Sequence, residues 1–313
     1  VMYGADAKCP RWLKFINEIM NNDKEMAGYL QKVVGYSLTG DTTEQKFFFL
    51  HGFGANGKSV FIETISDLLG DYSTPTPVST LMTKEKGALS NDVARLAGAR
   101  FVAANETPEH SKFNESELKQ LTGGDTVIAR FLHKEYFTFE PVFKLWISGN
   151  HKPVAGDSYG LWRRLILIPF NVKFAKKDRD AKLREKLLQE LPGILNWAIE
   201  GCIKWQADGL KTPLAIRTAI SEYKSEADTV QHWIDDCWET NSATDSEIKS
   251  TELYKSYTDW VLQNGEFYKL TQNNLMRKLN ERGVNTKRKS SGKYYLGVAL
   301  RDNNNFPNNS VSV

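Results

Sequence analysis

Residues 52–59 read Gly-Phe-Gly-Ala-Asn-Gly-Lys-Ser, a full match to the phosphate-loop pattern G-x-x-x-x-G-K-[ST]. An apolar run, Phe47–Leu50, precedes the motif, and residues 60–69 follow it with apolar side chains at helical spacing. A strand, a glycine-rich loop and a helix in this order bring backbone N–H groups and the positive end of a helix dipole onto phosphate oxygens. The motif therefore predicts binding and hydrolysis of a nucleoside triphosphate, with ATP and Mg²⁺ as the expected cofactors.

The residue types within the loop suit separate tasks. Lys58 can reach the β- and γ-phosphates, and the Ser59 hydroxyl can ligate Mg²⁺. The alternative is a glycine-rich turn that ends in Lys-Ser by chance, and the flanking strand and helix argue against it. The residues expected to bind the nucleotide are Gly52, Gly54, Ala55, Asn56, Gly57, Lys58, Ser59 and Val60.

Two polar side chains after later apolar stretches could complete a hydrolytic site. Glu106 follows Phe101–Ala104 and is the expected catalytic base and a second Mg²⁺ ligand. The slot before it holds Asn105, where the commoner arrangement has an aspartate. Asn150 follows Phe143–Ser148, and its amide could bind the γ-phosphate and the attacking water. Taken alone, Glu106 could be a solvated acid at a strand end, and Asn150 could be an ordinary turn residue.

Arg163 and Arg164 directly precede the apolar stretch Leu165–Ile168. A guanidinium inserted into the nucleotide site of a neighbouring subunit can stabilise charge on the transferred phosphoryl group. Because side chains alternate along a strand, the two arginines should point to opposite faces. We favour Arg164 as this arginine finger, with Arg163 as the second candidate. Plain surface charge is the alternative.

The composition limits the class of protein. The chain has 313 residues, 41% of them hydrophobic, and a net charge of +3, as expected for a globular protein of about two domains. Its three cysteines lie far apart, which is typical of thiols in a reducing compartment. No apolar stretch is long enough to span a membrane, and no signal-peptide pattern is visible.

Apolar periodicity places these motifs on an α/β fold. Residues 10–36 predict two helices, and short apolar strands alternate with helices as far as about residue 178. This alternation indicates a largely parallel sheet. The expected divisions are an N-terminal helical segment at 1–40, a P-loop ATPase core with trailing helices at 41–240, a small basic domain at 241–301 and a disordered tail at 302–313.

The basic domain has the element order of a winged helix. Two amphipathic helices, at 251–262 and 272–282, precede a basic hairpin at 284–298, and Thr271 could cap the second helix. Ten Lys and Arg stand against four Asp and Glu between residues 250 and 301, which supports a phosphate-binding face. The alternative is a solvated domain that binds protein or packs on the core. The expected DNA contacts are Arg277, Lys278, Lys287, Arg288, Lys289 and Lys293.

A series of segments in this chain closely resembles the superfamily 3 helicase domain of phage, plasmid and poxvirus primase-helicases. The segments are Phe53–Ser59, Arg100–Thr107, Leu118–Asp125, Ala129–Phe131, Phe143–Pro153, Leu161–Leu165 and Ile168–Phe170. The resemblance covers residues 10 to about 205. It implies an AAA+-like core, a hexameric ring around DNA, ATP-driven 3′-to-5′ movement on single strands, and an N-terminal collar that helps the ring to assemble.

The resemblance also implies a DNA-gripping hairpin between Glu106 and Asn150. In that family the hairpin carries a basic pair, and His133 and Lys134 fall at its place. Residues 131–139 read as two short strands around a polar tip, and a solvated turn is the alternative. The further candidates for DNA contact in this region are Lys119 and Arg130.

Together these patterns predict a hexameric, Mg²⁺- and ATP-dependent DNA helicase or translocase of a phage, plasmid or other mobile element. Its expected partners are single-stranded and forked DNA and other copies of itself, with a primase region upstream and the cytoplasm of a bacterial or virus-infected cell as its location. One alternative is an initiator or DNA-binding regulator that assembles with ATP and does not unwind. Another is a packaging or remodelling ATPase, which would leave the His133-Lys134 hairpin without a clear use.

Overall fold

The computed structural model describes residues 1–83, 91–156, 158–239, 246–266 and 269–301. The expected tail at 302–313 and residues 241–245 of the expected basic domain lie outside these residues. The chain forms two compact units, Val1–Ala227 and Asp228–Val313. In the described part of the chain, no helix is both long and apolar enough to cross a bilayer.

The first unit contains a five-stranded parallel sheet and a two-stranded hairpin. Its strands are β1 Phe47–His51, β2 Ser73–Pro75, β3 Phe101–Asn105, β4 Val127–Ala129, β5 Phe137–Phe139, β6 Lys144–Gly149 and β7 Leu165–Pro169. The main sheet has the order β2-β3-β6-β1-β7, and β4 pairs with β5 in antiparallel fashion. The prediction of an α/β fold with a largely parallel sheet is confirmed.

Helices cover this sheet, as the crossovers between parallel strands require. They are α1 Pro10–Ile19, α2 Lys24–Ser37, α3 Lys58–Leu69, α4 Asn91–Ala94, α5 Glu115–Gly123, α6 Tyr159–Trp162, α7 Leu183–Gln189, α8 Leu191–Asp208 and α9 Leu214–Glu226. Pro10 occupies the first turn of α1, where its missing N–H costs no hydrogen bond. The Asp23 side chain caps α2 by accepting hydrogen bonds from the backbone N–H groups of Glu25 and Met26.

The N-terminal helices share one hydrophobic core with the sheet. Trp12 of α1 stacks on Phe61 of α3, with ring centroids 5.8 Å apart. Helix α2 lies so close to α8 that a Cβ on Gly35 would be 2.0 Å from the backbone nitrogen of Cys202. Because its apolar faces are used within this core, the segment 1–40 does not form a compact unit of its own.

The second unit is a small α/β module. Its elements are α10 Thr229–Cys237, β8 Glu247–Lys249, α11 Ser250–Gln263, α12 Gln272–Glu281, β9 Thr286–Lys289 and β10 Gly292–Leu296. The strands form an antiparallel sheet in the order β8-β10-β9. Thr271 caps α12 as expected, since its hydroxyl accepts from the Asn274 N–H.

Helix α10 belongs to the second unit, whereas the sequence grouped it with the core up to residue 240. The trailing helical segment expected as far as residue 240 breaks near Asp228, whose side chain accepts from the Gln231 N–H and caps α10. Beyond the break, Trp233 is fully buried against the core of the second unit. The cap at Asp228 and the burial of Trp233 place the boundary between the two units before α10.

Candidate nucleotide site

A cavity of about 490 Å³ opens where the strands β1, β3 and β6 end. The carboxyl ends of adjacent parallel strands meet at one edge of a sheet, which is where α/β proteins bind ligands. Lys58, Ser59, Glu106 and Asn150 all line this cavity. The fold therefore gathers into one place side chains from three segments that lie far apart in the sequence.

The phosphate loop joins β1 to α3 and depends on two glycines. Gly57 has φ of 91° and serves as the N-cap of α3. A Cβ there would lie 2.6 Å from Cγ2 of Ile19 in α1. At Gly52, a Cβ would lie 2.3 Å from the carbonyl oxygen of Phe170. Both positions require glycine because neighbouring elements press on the loop, which directs the α3 N-terminus towards the cavity.

The Lys58 ammonium is the buried cation of the site. Its Nζ donates to the carbonyl oxygen of Gly52 and, at 3.2 Å each, to the Oδ1 atoms of Asn56 and Asn150. Burial lowers the pKa of Lys58 below its ordinary value. All three partners are neutral, so the positive charge is held in place without being cancelled and is available to an anionic ligand.

The segment after β3 holds Glu106 in an unusual backbone conformation. Its φ is 65°, in the left-handed region that few residues other than glycine adopt. The next residue is fixed because the Thr107 hydroxyl donates to the carbonyl oxygen of His151 at 2.7 Å. A Cβ on Gly149 would collide with the same hydroxyl. This packing turns the exposed Glu106 carboxylate towards the cavity, as its place in the lining shows.

The oxygen groups around the cavity fit a hard divalent cation. The Ser59 hydroxyl and the Glu106 carboxylate are exposed and line the same cavity. Asn105 lines the cavity too, but its Oδ1 already accepts from the Ser148 hydroxyl at 2.9 Å. In the described residues, no cluster of three or more His, Cys, Asp or Glu could hold a metal alone. Few protein ligands are what Mg²⁺ uses when water and substrate phosphates complete its shell.

Arg163 and Arg164 lie near the amino ends of the strands, whereas the cavity lies at the carboxyl ends. Strand β7 runs parallel to β1, with Leu165 beside Phe47 and Pro169 beside His51. The arginines thus precede the amino end of β7. This end of the strand lies about 13 Å from its carboxyl end. They stand too far from the phosphate loop to act on a nucleotide held by the same chain.

The two arginines differ in exposure, but strand alternation is not the cause, because Arg163 is the helical C-cap of α6 and β7 begins only at Leu165. Arg163 is exposed. Arg164 is buried, and its Nη1 donates to the carbonyl oxygen of Gly160 at 2.9 Å. Burial, together with Arg163, lowers the pKa of Arg164. We preferred Arg164 as the finger, but Arg163 is the guanidinium that another molecule could contact without rearrangement.

A hairpin is present in the expected region, but its first strand lies before the predicted range of 131–139. Strands β4 and β5 pair over 127–129 and 137–139, so residues 130–136 form the loop. His133 and Lys134 are exposed on it, and His133 has φ of 59°. Arg130 lies 4.9 Å from the Tyr136 ring centroid, a cation–π contact. Lys119 is outside the hairpin, on α5, and forms an ion pair with Glu115 at 3.4 Å.

In the second unit, the structure separates one expected DNA contact from the others. Lys278 is buried, because it lies on the face of α12 that also buries Leu275 and Leu279. Its ammonium is therefore not part of the exposed basic surface. The expected contacts with exposed or partly exposed side chains are Arg277, Lys287, Arg288, Lys289 and Lys293.

Sequence reasoning missed Glu63 and His51. Glu63 lines the cavity and pairs with Arg184 of α7 at 3.3 Å. It follows Ser59 by one helical turn, and that spacing could have identified it. Burial, followed by the charge of Lys152, lowers the pKa of His51 to about 4, so the imidazole beside the loop is neutral. No local sequence pattern indicates that the His51 side chain is partly buried.

The loop after Asn150 is fastened to α9. Lys152 Nζ pairs with Glu226 at 2.7 Å, and the Tyr223 hydroxyl donates to the carbonyl oxygen of Pro153. Tyr223 is buried and packs edge-on against Trp162. These contacts fix the backbone that carries Asn150, and only the fold brings their residues together.

Comparison with known proteins gives the chain relatives among viral proteins. Residues 50–164 match the family described as "Family of unknown function (DUF5906)". The chain is 30% identical over 262 residues to "Putative helicase L207/L206" of Acanthamoeba polyphaga mimivirus, covering 77% of this chain and 27% of the relative. It is 24% identical over 249 residues to "Putative helicase 022R" of Frog virus 3, covering 73% and 25%. The chain thus spans about a quarter of these curated relatives.

The fold also has a solved counterpart. "The apo structure of NrS-1 C terminal region (305-718)" aligns with a TM-score of 0.59 at 12% identity, covering 96% of this chain and 79% of that one. At this identity the likeness shows the fold alone. The chain is thus similar in sequence to viral proteins named as putative helicases and similar in fold to the NrS-1 C-terminal region.

Proposed function

We propose that the chain is the motor part of an ATP-dependent DNA helicase or translocase of the superfamily 3 type, with an AAA+-like core. The observation that carries the proposal is the convergence of Lys58, Ser59, Glu106 and Asn150 on one cavity. These are a phosphate-binding cation, a metal-ligating hydroxyl, a carboxylate and a neutral amide. Phosphoryl transfer to water needs this set. The viral relatives named as helicases support the same function.

Each residue has a task in hydrolysis. Lys58 and the loop N–H groups bind the β- and γ-phosphates. The Oδ1 atom of Asn150 accepts from Lys58, and the N–H groups of the same amide orient the γ-phosphate. Glu106 accepts a proton from the attacking water. Ser59 and Glu106 would hold Mg²⁺, which supplies charge neutralisation for the phosphates when bound.

The arginines complete the site only between subunits. Since both precede the amino end of β7, a finger from this pair must reach the nucleotide of a neighbouring copy, which a hexameric ring provides. Arg163 is the better placed because it is exposed, and Arg164 is the alternative. In this ring the N-terminal helices would support assembly as an integral part of the core.

The DNA partners follow from the remaining basic groups. In the ring, His133 and Lys134 grip single-stranded DNA during 3′-to-5′ movement, with Arg130 and Lys119 nearby. The second unit is a winged helix whose exposed cations contact forked DNA. The protein would act in the replication of a virus, phage or other mobile element, in the cytoplasm of the cell concerned, with a primase region upstream.

The test is ATP hydrolysis with and without single-stranded DNA, combined with unwinding of a tailed duplex. Wild type should hydrolyse ATP faster with DNA and separate the strands. Lys58→Ala should abolish both activities. Lys224→Ala, which removes an exposed lysine of α9, is the matched control and should keep both. Absence of hydrolysis in the wild type contradicts the proposal, and DNA binding with hydrolysis but no unwinding favours the initiator.

A further inference from the structure

The outward face of the β8-β10-β9 sheet carries an aromatic ring between lysines. Tyr294 of β10 lies directly opposite Lys249 of β8 and Lys287 of β9. Directly opposite residues of antiparallel strands project to the same side, so the three side chains form a row. We call this side, with its neighbours Lys289 and Glu247, the Tyr294 face.

The adjacent residue shows which way this face points. Tyr295 is fully buried, and its hydroxyl donates to the carbonyl oxygen of Met276. Because side chains alternate along a strand, Tyr294 points away from the hydrophobic core of the unit. Its ring is partly exposed, with Lys289 Nζ 5.0 Å from the centroid and the Ser291 hydroxyl 3.0 Å from its own hydroxyl.

Positive charge on this hairpin exceeds what the protein neutralises. Lys289 pairs with Glu247, whereas Lys249 and Lys287 have no ion pair within the described part of the chain. On the other side of the ribbon, Arg288 stands directly opposite Lys293. Like charges placed opposite each other destabilise a sheet. A polyanion lying along the hairpin would relieve this repulsion.

Helix α12 offers less charge. Arg277 lies 3.9 Å from Glu281, and Lys278 is buried. Helix α12 thus adds less unpaired positive charge than the sheet and hairpin do.

We propose that the Tyr294 face binds single-stranded DNA, with one base stacked on Tyr294 and the flanking phosphates bound by Lys249 and Lys287. This inference rests on the proposed function, since it presumes a DNA-handling protein. Aromatic side chains flanked by cations bind single strands because an unstacked base offers its ring face, which a paired base in a duplex does not. The proposal adds Tyr294 and Lys249 to the DNA contacts and assigns this face to single strands.

Binding of a labelled oligothymidine to the full chain without nucleotide tests the stacking contact. Tyr294→Ala should weaken binding about tenfold, as expected for loss of one stacked base, and Tyr294→Phe should restore it. A blunt duplex of the same length should bind both variants equally. Unchanged affinity in Tyr294→Ala, or equal losses for single strand and duplex, would overturn the proposal. Thermal unfolding of each variant separates a lost contact from a lost fold.

The salt dependence of binding tests the two lysines. Replacing Lys249 and Lys287 together by alanine should reduce the slope of log affinity against log salt by about 1.4, at about 0.7 for each single-strand phosphate contact. Lys255→Ala removes an exposed lysine from α11 of the same unit and should cause no such change. An equal reduction in Lys255→Ala would show diffuse attraction and contradict a defined surface.

Photocrosslinking locates the contact independently of affinity. A single strand carrying 5-iodouracil should crosslink to the peptide that contains Tyr294, as read by mass spectrometry. Crosslinks confined to residues 130–136 or to α12 would place the strand elsewhere and refute the assignment. Because no nucleotide is present, a chain without ATPase activity could still pass this test, so failure of the motor and failure of this surface are distinguishable.

Discussion

Cations serve different ends in the phosphate loop and on the Tyr294 face. The Lys58 ammonium is buried and held by three neutral oxygens, so its position is fixed before any ligand arrives. On the Tyr294 face, Lys249 and Lys287 extend from strand backbones with no ion pair that the structure describes. A reacting phosphate needs a charge at one point, whereas a sliding polymer needs charge density. Single substitutions should thus be severe in the first region and graded in the second.

Apart from the loss of Lys58, the largest effect should come from the exposed arginine. Arg163→Ala should lower ATPase activity about 1,000-fold, as loss of a trans-acting arginine does, and leave thermal unfolding unchanged. Mixing Arg163→Ala with Lys58→Ala should restore part of the activity, because some mixed interfaces join an intact loop to an intact arginine. Arg164→Ala serves as comparison and should chiefly destabilise the fold. Rescue by mixing seen only for Arg164→Ala would identify Arg164 as the finger.

Glu106→Gln should lower the hydrolysis rate by about 100-fold or more and leave nucleotide affinity intact. The amide keeps the shape of the side chain and cannot accept the proton from water. Glu109→Gln is the matched control, since it neutralises an exposed acid three residues along the same loop and should retain activity. Single-turnover hydrolysis and nucleotide binding measure the two quantities. Full activity in Glu106→Gln would move the base to another group.

Alanine substitutions at two glycines of the phosphate loop should show whether stability depends on packing against α1 or only on the loss of a glycine. Gly57→Ala meets Ile19 and has φ of 91°, so it should reduce the free energy of unfolding by about 2–4 kcal/mol. Gly54→Ala enters open space and should leave stability within about 0.5 kcal/mol of the wild type. Denaturant unfolding measures both. Equal stability of the two variants would mean that α1 does not press on the loop.

The effect of Lys144, which is buried where α2 meets β6, is spread over several pH units. Its Nζ donates to the Thr39 carbonyl oxygen at 2.6 Å, yet burial lowers its pKa from 10.5 to about 7. Between these values the unfolded chain binds more protons, so the free energy of unfolding should rise with pH by up to about 1.4 kcal/mol per unit. Lys144→Met should remove this rise, and the exposed-site control Lys224→Met should keep it. Urea titrations between about pH 7 and 10 measure the slopes.

The sequence predicted closely the strands whose carboxyl ends meet at the cavity. The strands expected at 47–50 and 101–104 extend over 47–51 and 101–105, since short continuous apolar runs between polar turns are typical of strands buried on both faces. The phosphate loop between β1 and α3 was equally evident, because its motif is local. What sequence alone could assign was therefore the part of the site built from contiguous residues.

Features that depend on distant residues were beyond the sequence. Arg164 is buried next to Gly123 of α5, where an added Cβ would be 3.7 Å from its Nη2, an ordinary contact distance. The first hairpin strand lies at 127–129, and only there do side chains alternate between buried and exposed. Phe131, which looked like part of a strand, is exposed in the loop. Short strands carry too few residues for periodicity to fix their ends.

The contact between Gly57 and α1 also limits how the protein can be dissected. Phe15 and Ile19 of α1 pack against Gly57, the N-cap of α3, so the first helix supports the phosphate loop. A recombinant fragment that starts at β1 would keep the whole motif and lose this support. The smallest piece able to hold a nucleotide should therefore begin no later than Pro10, well before the motif by which it would be recognised.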